Sequence, residues 1–376
     1  MASLVPGKLC RLSLASGSLD AVIPLVAPYI TDETIGWMQE AMDSVLTDDE
    51  SEVRLFEEEF AAYVGCAGGV AVNSGTNALI IALKANPYWN GAYLPSYSCR
   101  ALLDAFHAAD VNELLIDNEC DVASAQFGMR IIPGTLVVLP HMFGVENRRI
   151  SQNVIHDITL SLGAVHAPST AVCSFHRDKM ISTGRGGMIV SQDTGFLERC
   201  RELAYYDTVS LLSEPDVAGS SPQETGHSRY PSGSESNGYR PAFSFGMTAM
   251  QAALGRSQLR QLPGFIDRRR EIADRYTRAF SEVGIEAPSP DVDSVYFRYI
   301  IGVDDPASTV DDLARRGIEA GRGVNPPLHR LLGFPAEQFP GAEECFGKLL
   351  SVPVHPGLTD EQVNYIAGQV VETCAP

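Results

Sequence analysis

Three short segments place reactive residue types at the ends of apolar runs or in polar turns. Lys179 closes the turn Ser174-Phe-His-Arg-Asp-Lys, which leaves the run TAVCSF. Taken alone, a lysine in a polar turn is usually just solvated. Asp157 ends the run NVIHD, at the strand end where open α/β sheets place ligands, although such an aspartate is a cap about as often. Ser74-Gly75-Thr76 follows GVAVN and opens the helical pattern NALIIAL. A hydroxyl, a glycine for close approach and helix-terminal amides make an anion site, but also a plain N-cap. Together and in this order they supply a lysine able to form a Schiff base, a carboxylate for a ring nitrogen, and a phosphate cup. Those are the demands of pyridoxal phosphate (PLP).

The elements that must position these residues are legible as a strand–helix alternation between about residues 68 and 193. Strands are predicted at Gly69–Asn73, Ala92–Pro95, Glu113–Asp117, Leu136–His141, Val154–Asp157, Ala171–Phe175 and Gly187–Ser191. Several are unbroken apolar runs, as expected when both faces of a strand are covered. Helical patterns at Asn77–Ala85 and Arg100–Ala109 lie between them, which implies a mostly parallel sheet with helices on both sides. The Gly184-Arg-Gly-Gly187 turn allows the last strand to run antiparallel. Residues 205–242 are rich in Ser, Gly and Pro and read as a long loop, either functional or disordered. A long helix over Met247–Phe280, a strand-like VYFRYIIGV and a terminal helix from Asp360 complete the pattern.

Composition narrows the class. The chain has 376 residues, 45% hydrophobic and 20% charged, the mix of a globular protein. Its formal net charge of −19 argues against nucleic acid or an anionic membrane as partner. The acidic stretch Asp48–Glu59 reads as a solvated helix face. No apolar run is long enough to span a bilayer, and the N-terminus is too polar for a secretory signal. The cysteines and histidines are scattered without metal-ligand spacing, so no metal site is expected and free thiols fit a cytoplasmic protein.

The chain resembles the DegT/DnrJ/EryC1/StrS aminotransferases, a branch of the fold-type-I PLP enzymes. SGTNAL, HDITLSLGA and SFHRDKMISTGRGG carry the resemblance. IPLVAPYITDET, FEEEFAAYVG, LPSYS, LPHMFG, MTAMQAALGRSQL, PPLH and LLSVPVHPGLTDEQV extend it over nearly the whole chain. It implies Lys179 as Schiff-base lysine, Asp157 as partner of the ring nitrogen, and Ser74, Gly75, Thr76 and Ser174 around the phosphate. His141 matches a site-proximal histidine, and Arg185 and His329 join it as substrate-side candidates. The implied fold is a large domain, residues 1–255, with a seven-stranded mostly parallel sheet, and a small C-terminal α/β domain, residues 256–376.

The resemblance also marks departures. Leu160 stands where the family has His or Gln near the cofactor, and Cys99 where an aromatic packs on its ring. Ser244 replaces a cross-subunit Asn, with Gly246 in place of Arg; Arg185 replaces a Glu, and Gly323-Val324 a His-Tyr pair. Such changes bear on the substrate more than on the cofactor. The implied activity moves an amino group from an amino acid, glutamate foremost, to a keto sugar of the nucleotide-linked kind, in a homodimer with shared sites. Arg100, Arg177, Arg185 and Arg322 are either diphosphate ligands or ordinary surface arginines. A sugar dehydratase or lyase, a transferase acting on other ketones or aldehydes, and an inactive scaffold are the alternatives. Family dehydratases typically carry histidine in place of the lysine that is present here.

Overall fold

The structure is a computed structural model that describes residues 22–47, 49–86, 91–120, 132, 134–147, 153–205, 243–289 and 293–374. Apart from Tyr205, the expected loop 205–242 lies outside the described residues. Helices α1 (Asp32–Thr47) and α2 (Asp49–Val64) lead into β1 (Gly68–Val72), α3 (Gly75–Ala85), β2 (Ala92–Pro95), α4 (Arg100–Ala109) and β3 (Glu113–Ile116). Then come β4 (Leu136–Pro140), β5 (Val154–Asp157), β6 (Thr170–Ser174), β7 (Gly187–Ser191), α5 (Thr194–Ala204) and the long α6 (Ala249–Ser281). The C-terminal part holds β8 (Tyr299–Gly302), α7 (Pro306–Arg315), β9 (Gly321–Arg322), α8 (Leu328–Leu331), α9 (Pro340–Lys348), β10 (Leu349–Val352) and α10 (Asp360–Cys374).

The first seven strands form one sheet in the order β1-β7-β6-β5-β4-β2-β3. Strands β2 to β6 pair in parallel, while β7 pairs antiparallel with both β6 and β1. So β7 alone runs against the rest, as the glycine turn before it allowed. Strand β4 reads LVVLP and is buried at every position, because helices cover both faces and leave no polar side to alternate. On one face α3 and α4 press Leu79, Ile81, Leu102 and Phe106 onto Val138, Ile155 and Val172. On the other, Phe56 and Phe60 of α2 and Leu259 and Leu262 of α6 meet Ala71, Ala171 and Met188.

The second sheet, β8-β10-β9, is antiparallel throughout and packs its own core around Tyr276, Tyr299, Leu350 and Ile366. Helix α6 belongs to both cores: Leu259, Leu262 and Ile266 face the first, Ile272, Ala273 and Tyr276 the second. The changeover falls inside one continuous helix. A capping box, Thr248 with Gln251, starts that helix two residues beyond the expected Met247.

Two expectations need correction. The apolar run VYFRYIIGV becomes a ladder strand only from Tyr299 to Gly302. Tyr296 takes a left-handed backbone (φ 45°), and buried Arg269 claims the carbonyls of Tyr296 and Phe297, which removes them from any ladder. The acidic stretch is also no uniformly solvated face. Glu52 and Glu57 are buried, Glu52 2.7 Å from Arg256 and Glu57 2.6 Å from Arg201. Glu57 further accepts the Ala71 amide at 2.7 Å, which ties α2 to β1. Their partners lie far along the chain, beyond what local charge pattern reveals.

Candidate active site

Because β5 and β6 run parallel, their carboxyl ends open on the same edge of the sheet. Asp157 is the last residue of β5 and Ser174 the last of β6. Both sit in register with the positions that face α3, and α3 starts at that same edge. The approach is very close. A Cβ on Gly75 would meet Ser174 Cβ at 2.4 Å, and one on Gly187 would meet the Ser74 carbonyl oxygen at 2.4 Å. Only glycine at both positions lets the helix terminus lie against the two strand ends. Ser74 caps the helix by accepting the Asn77 amide at 3.1 Å, so the Gly75 and Thr76 amides stay outside the helix's own ladder.

Thr159, which sequence reasoning missed, joins the pieces. Its amide donates to Asp157 Oδ1 at 3.0 Å, its hydroxyl bonds the same carboxyl, and its Oγ1 accepts the Ser174 amide at 3.1 Å. Burial pushes the Asp157 carboxyl above the usual carboxylate range, opposed by the two Thr159 bonds and by the charge of Lys179. The aspartate is therefore oriented, close enough to Lys179 to feel its charge, and has no cation bonded to it among the described residues.

The turn that carries Lys179 is held firmly. Phe175 donates its amide to the Gly186 carbonyl (2.8 Å) and accepts from Thr183 (3.0 Å), while its ring packs between Phe56 and Phe60. The Lys179 amide bonds the His176 carbonyl at 2.9 Å. Nζ of Lys179 stands 5.4 Å from the centre of the Phe297 ring, which comes from the loop before β8 and packs in the large sheet's core. Among the described residues no carboxylate pairs with it within 4.0 Å. A free amine over an aromatic face, an oriented carboxylate beside it, and a helix terminus with two hydroxyls fit a phosphorylated pyridine aldehyde at each of its three handles.

The other candidates are placed less directly. Cys99 is exposed at the start of α4 and makes no capping bond; Leu160 packs into the cores instead. Ser244 is exposed, on a segment whose neighbour Phe245 accepts the Asn73 amide at 2.8 Å, beside the Ser74 turn. Arg185 is exposed, and its carbonyl takes bonds from Thr183 and Gln251. His141 stacks on His156, with Nε2 2.9 Å from Nδ1 of that ring. His156 and Asp157 are consecutive strand residues, so the pair lies on the opposite face from the Asp157 carboxyl.

His329 corrects the substrate-side expectation. It is fully buried, with Nδ1 2.7 Å from Ser96 Oγ, Nε2 2.7 Å from Glu343 Oε1 and its ring stacked on Phe339. With both nitrogens engaged it joins three elements and offers nothing to a ligand. Phe297, which comes beside Lys179 from the loop before β8, was not anticipated, since that loop reads as strand.

A profile of the DegT/DnrJ/EryC1/StrS aminotransferase family matches residues 28–94 and 155–371. The chain is 30% identical to a dTDP-4-dehydro-2,3,6-trideoxy-D-glucose 4-aminotransferase of Saccharopolyspora spinosa, over 93% of this chain and 96% of that one. It is 26% identical to a GDP-perosamine synthase of Caulobacter vibrioides, over 92% and 96%. Among solved structures, the aminotransferase TlmJ from Streptoalloteichus hindustanus superposes with a TM-score of 0.75 at 24% identity, covering 93% of this chain and 97% of that one.

Proposed function

Since this chain belongs to the DegT/DnrJ/EryC1/StrS aminotransferase family, we propose that it transfers an amino group from glutamate to a nucleotide-linked keto sugar. The Asp157–Thr159–Ser174 chain, packed against the start of α3 beside Lys179, carries this reading. PLP, the family's cofactor, supplies when bound an electron sink that loosens the hydrogen on the amine-bearing carbon. Lys179 would hold it covalently through Nζ. Once free, the Nζ amine would act as general base for that proton and as general acid when it is given back. Asp157 would keep the proton on the ring nitrogen, its carboxyl held by Thr159. Ser174 and the amides of Gly75 and Thr76 bind the phosphate. The presence of Lys179 itself favours transfer over dehydration.

The nucleotide is proposed from the relatives, whose names specify dTDP and GDP sugars. A homodimer with shared sites is part of the same proposal, with exposed Ser244 reaching the neighbour's phosphate cup. So are a large unit and a small unit divided near residue 255, and a cytoplasmic setting. No described helix is long and apolar enough to cross a membrane, and the described cysteines are all free thiols. The test loads the enzyme with glutamate and then offers keto sugars with and without the nucleotide. The reading predicts an amino sugar, seen by mass, only from the nucleotide-linked form. Equal conversion of small free ketones, or conversion of none, would contradict it.

A further inference from the structure

Two cysteines meet where the end of β3 lies against α9, and the proposed amino transfer uses neither. Cys120 follows β3 and is half-buried; Cys345 lies in α9 and is fully buried. The Cys345 thiol is hydrogen-bonded to the Cys120 sulfur, and both side chains pack in one apolar cluster with Tyr97, Phe143 and Leu349. The backbones that carry them are clamped together. Asp117 accepts the Gly341 and Ala342 amides, each at 2.9 Å, and so caps the start of α9. Asn118 accepts the Tyr97 amide at 2.7 Å, and a Cβ on Gly341 would overlap the Asn118 carbonyl oxygen. The two sulfurs are therefore held in contact, although they stand far apart in the sequence.

The surroundings divide the pair into an attacking and a resolving thiol. Burial raises the thiols of Cys66, Cys173, Cys200 and Cys374, which keeps them in the unreactive protonated form. Cys120 moves the other way. The hydrogen bond from Cys345 lowers it, against burial and the charges of Glu344 and Glu286, with Lys348 on the lowering side. A bond donated to the thiolate favours that form, and the thiolate is the nucleophile. Cys120 is also the member of the pair that solvent reaches. Cys345 is sealed in the cluster, so an oxidant from solvent meets Cys120 first.

We propose that Cys120 and Cys345 are the site of a reversible disulfide, formed with a hydroperoxide as oxidant, that ties the end of β3 to α9. The Cys120 thiolate attacks one peroxide oxygen, the O–O bond breaks, and the other oxygen leaves with the proton that Cys120 gave up. Cys120 is then a sulfenic acid. The Cys345 sulfur attacks the Cys120 sulfur, the S–O bond breaks, and the hydroxide leaves as water with the Cys345 proton. Two thiols lose two electrons and two protons, and one hydroperoxide takes them all. The new bond spans a contact that hydrogen bonds and packing otherwise hold. Helix α9 also carries Glu343, which holds His329 and, through it, Ser96 just beyond β2. The cross-link thus braces the carboxyl ends of two parallel strands, and it stands independently of the amino-transfer reading.

The full chain is treated with an equivalent of hydrogen peroxide, its remaining thiols are alkylated, and its peptides are mapped without reduction. The expected product is a peptide pair joined through Cys120 and Cys345, with both thiols recovered after dithiothreitol. Cys345→Ser should leave Cys120 as a sulfenic acid that dimedone captures. Cys120→Ser should slow the oxidation of Cys345 roughly tenfold or more, since the buried thiol then lacks its relay. In guanidinium the preference should vanish and oxidation should spread over the chain's eight cysteines. Two results in the unaltered, folded protein would overturn the assignment, whatever the variants do. One is oxidised Cys120 beside a Cys345 that still alkylates after denaturation; the other is either cysteine joined mainly to a different partner.

Discussion

At the scale of single residues, Asp157 shows how much of this site is orientation. Its carboxyl is raised by burial, yet Thr159 grips it twice and Ser174 is tied to Thr159 in turn. A protonated ring nitrogen would give this half-buried carboxylate a partner, which is the place the proposal assigns to it. Asp157→Ala should therefore slow both half-reactions by roughly a hundredfold or more while the fold persists. Single-turnover kinetics and circular dichroism check the two halves of that statement. Near-normal rates would mean that the ring's charge is supported elsewhere.

At the scale of elements, the ends of β4 and β5 are joined by two neutral histidines. The Asn147 amide donates to His141 Nδ1, so Nε2 carries the proton and donates to His156 Nδ1. Burial, helped by the charge of His156, pushes His141 down to about 3; burial pushes His156 down to about 4 against the pull of Glu146. An unfolded histidine titrates near 6.5, so the unfolded chain takes up protons that the folded one refuses. The stability is complete above that value and is lost as pH falls from about 6.5 toward 4. At pH 5 the loss reaches at most about 2 kcal/mol for each ring. The fall in Tm between pH 7.5 and 5 should be smaller in His156→Gln, with buried His355 accounting for part of what remains. An identical fall in the variant would remove the pair from the account.

The same elements show what sequence alone can reveal. β2, β5 and β7 begin and end where their apolar runs do, because a strand buried on both faces has its limits written in composition. Lys179, Asp157, Ser174 and Gly75 were legible because each sits at the edge of such a run. Thr159 was not, since its role is a pair of hydrogen bonds across a turn. Phe297 was hidden by an apolar pattern that Arg269 and the backbone at Tyr296 prevent from becoming strand. The buried acids of α2 were misread because Arg201 and Arg256, which neutralise them, are supplied by other helices.

At the scale of the whole molecule, the proposed site joins Lys179, Asp157 and the start of α3, on the large sheet, with Phe297 from the loop before β8, whose ring packs in the large sheet's own core. Helix α6 fixes the two cores against each other by lending buried residues to both. The proposed dimer adds a further contributor. Mixing a Lys179→Ala subunit with one inactivated by Ser244→Trp should restore part of the activity, because one hybrid site is then intact. Absence of recovery, or a monomer in sedimentation, would count against sites shared between subunits. The central claim, that Lys179 is the residue on which the chemistry runs, is open to a still more direct measurement. The chain's lysines are Lys8, Lys84, Lys179 and Lys348. Lys84 bonds the Ala109 carbonyl and Lys348 pairs with Glu286 at 2.7 Å, so neither of these offers an amine beside a buried acid. Borohydride reduction of the PLP-loaded protein, followed by peptide mapping, should fix the cofactor's mass on the peptide containing Lys179. The label on any other lysine, or on none, would contradict the account.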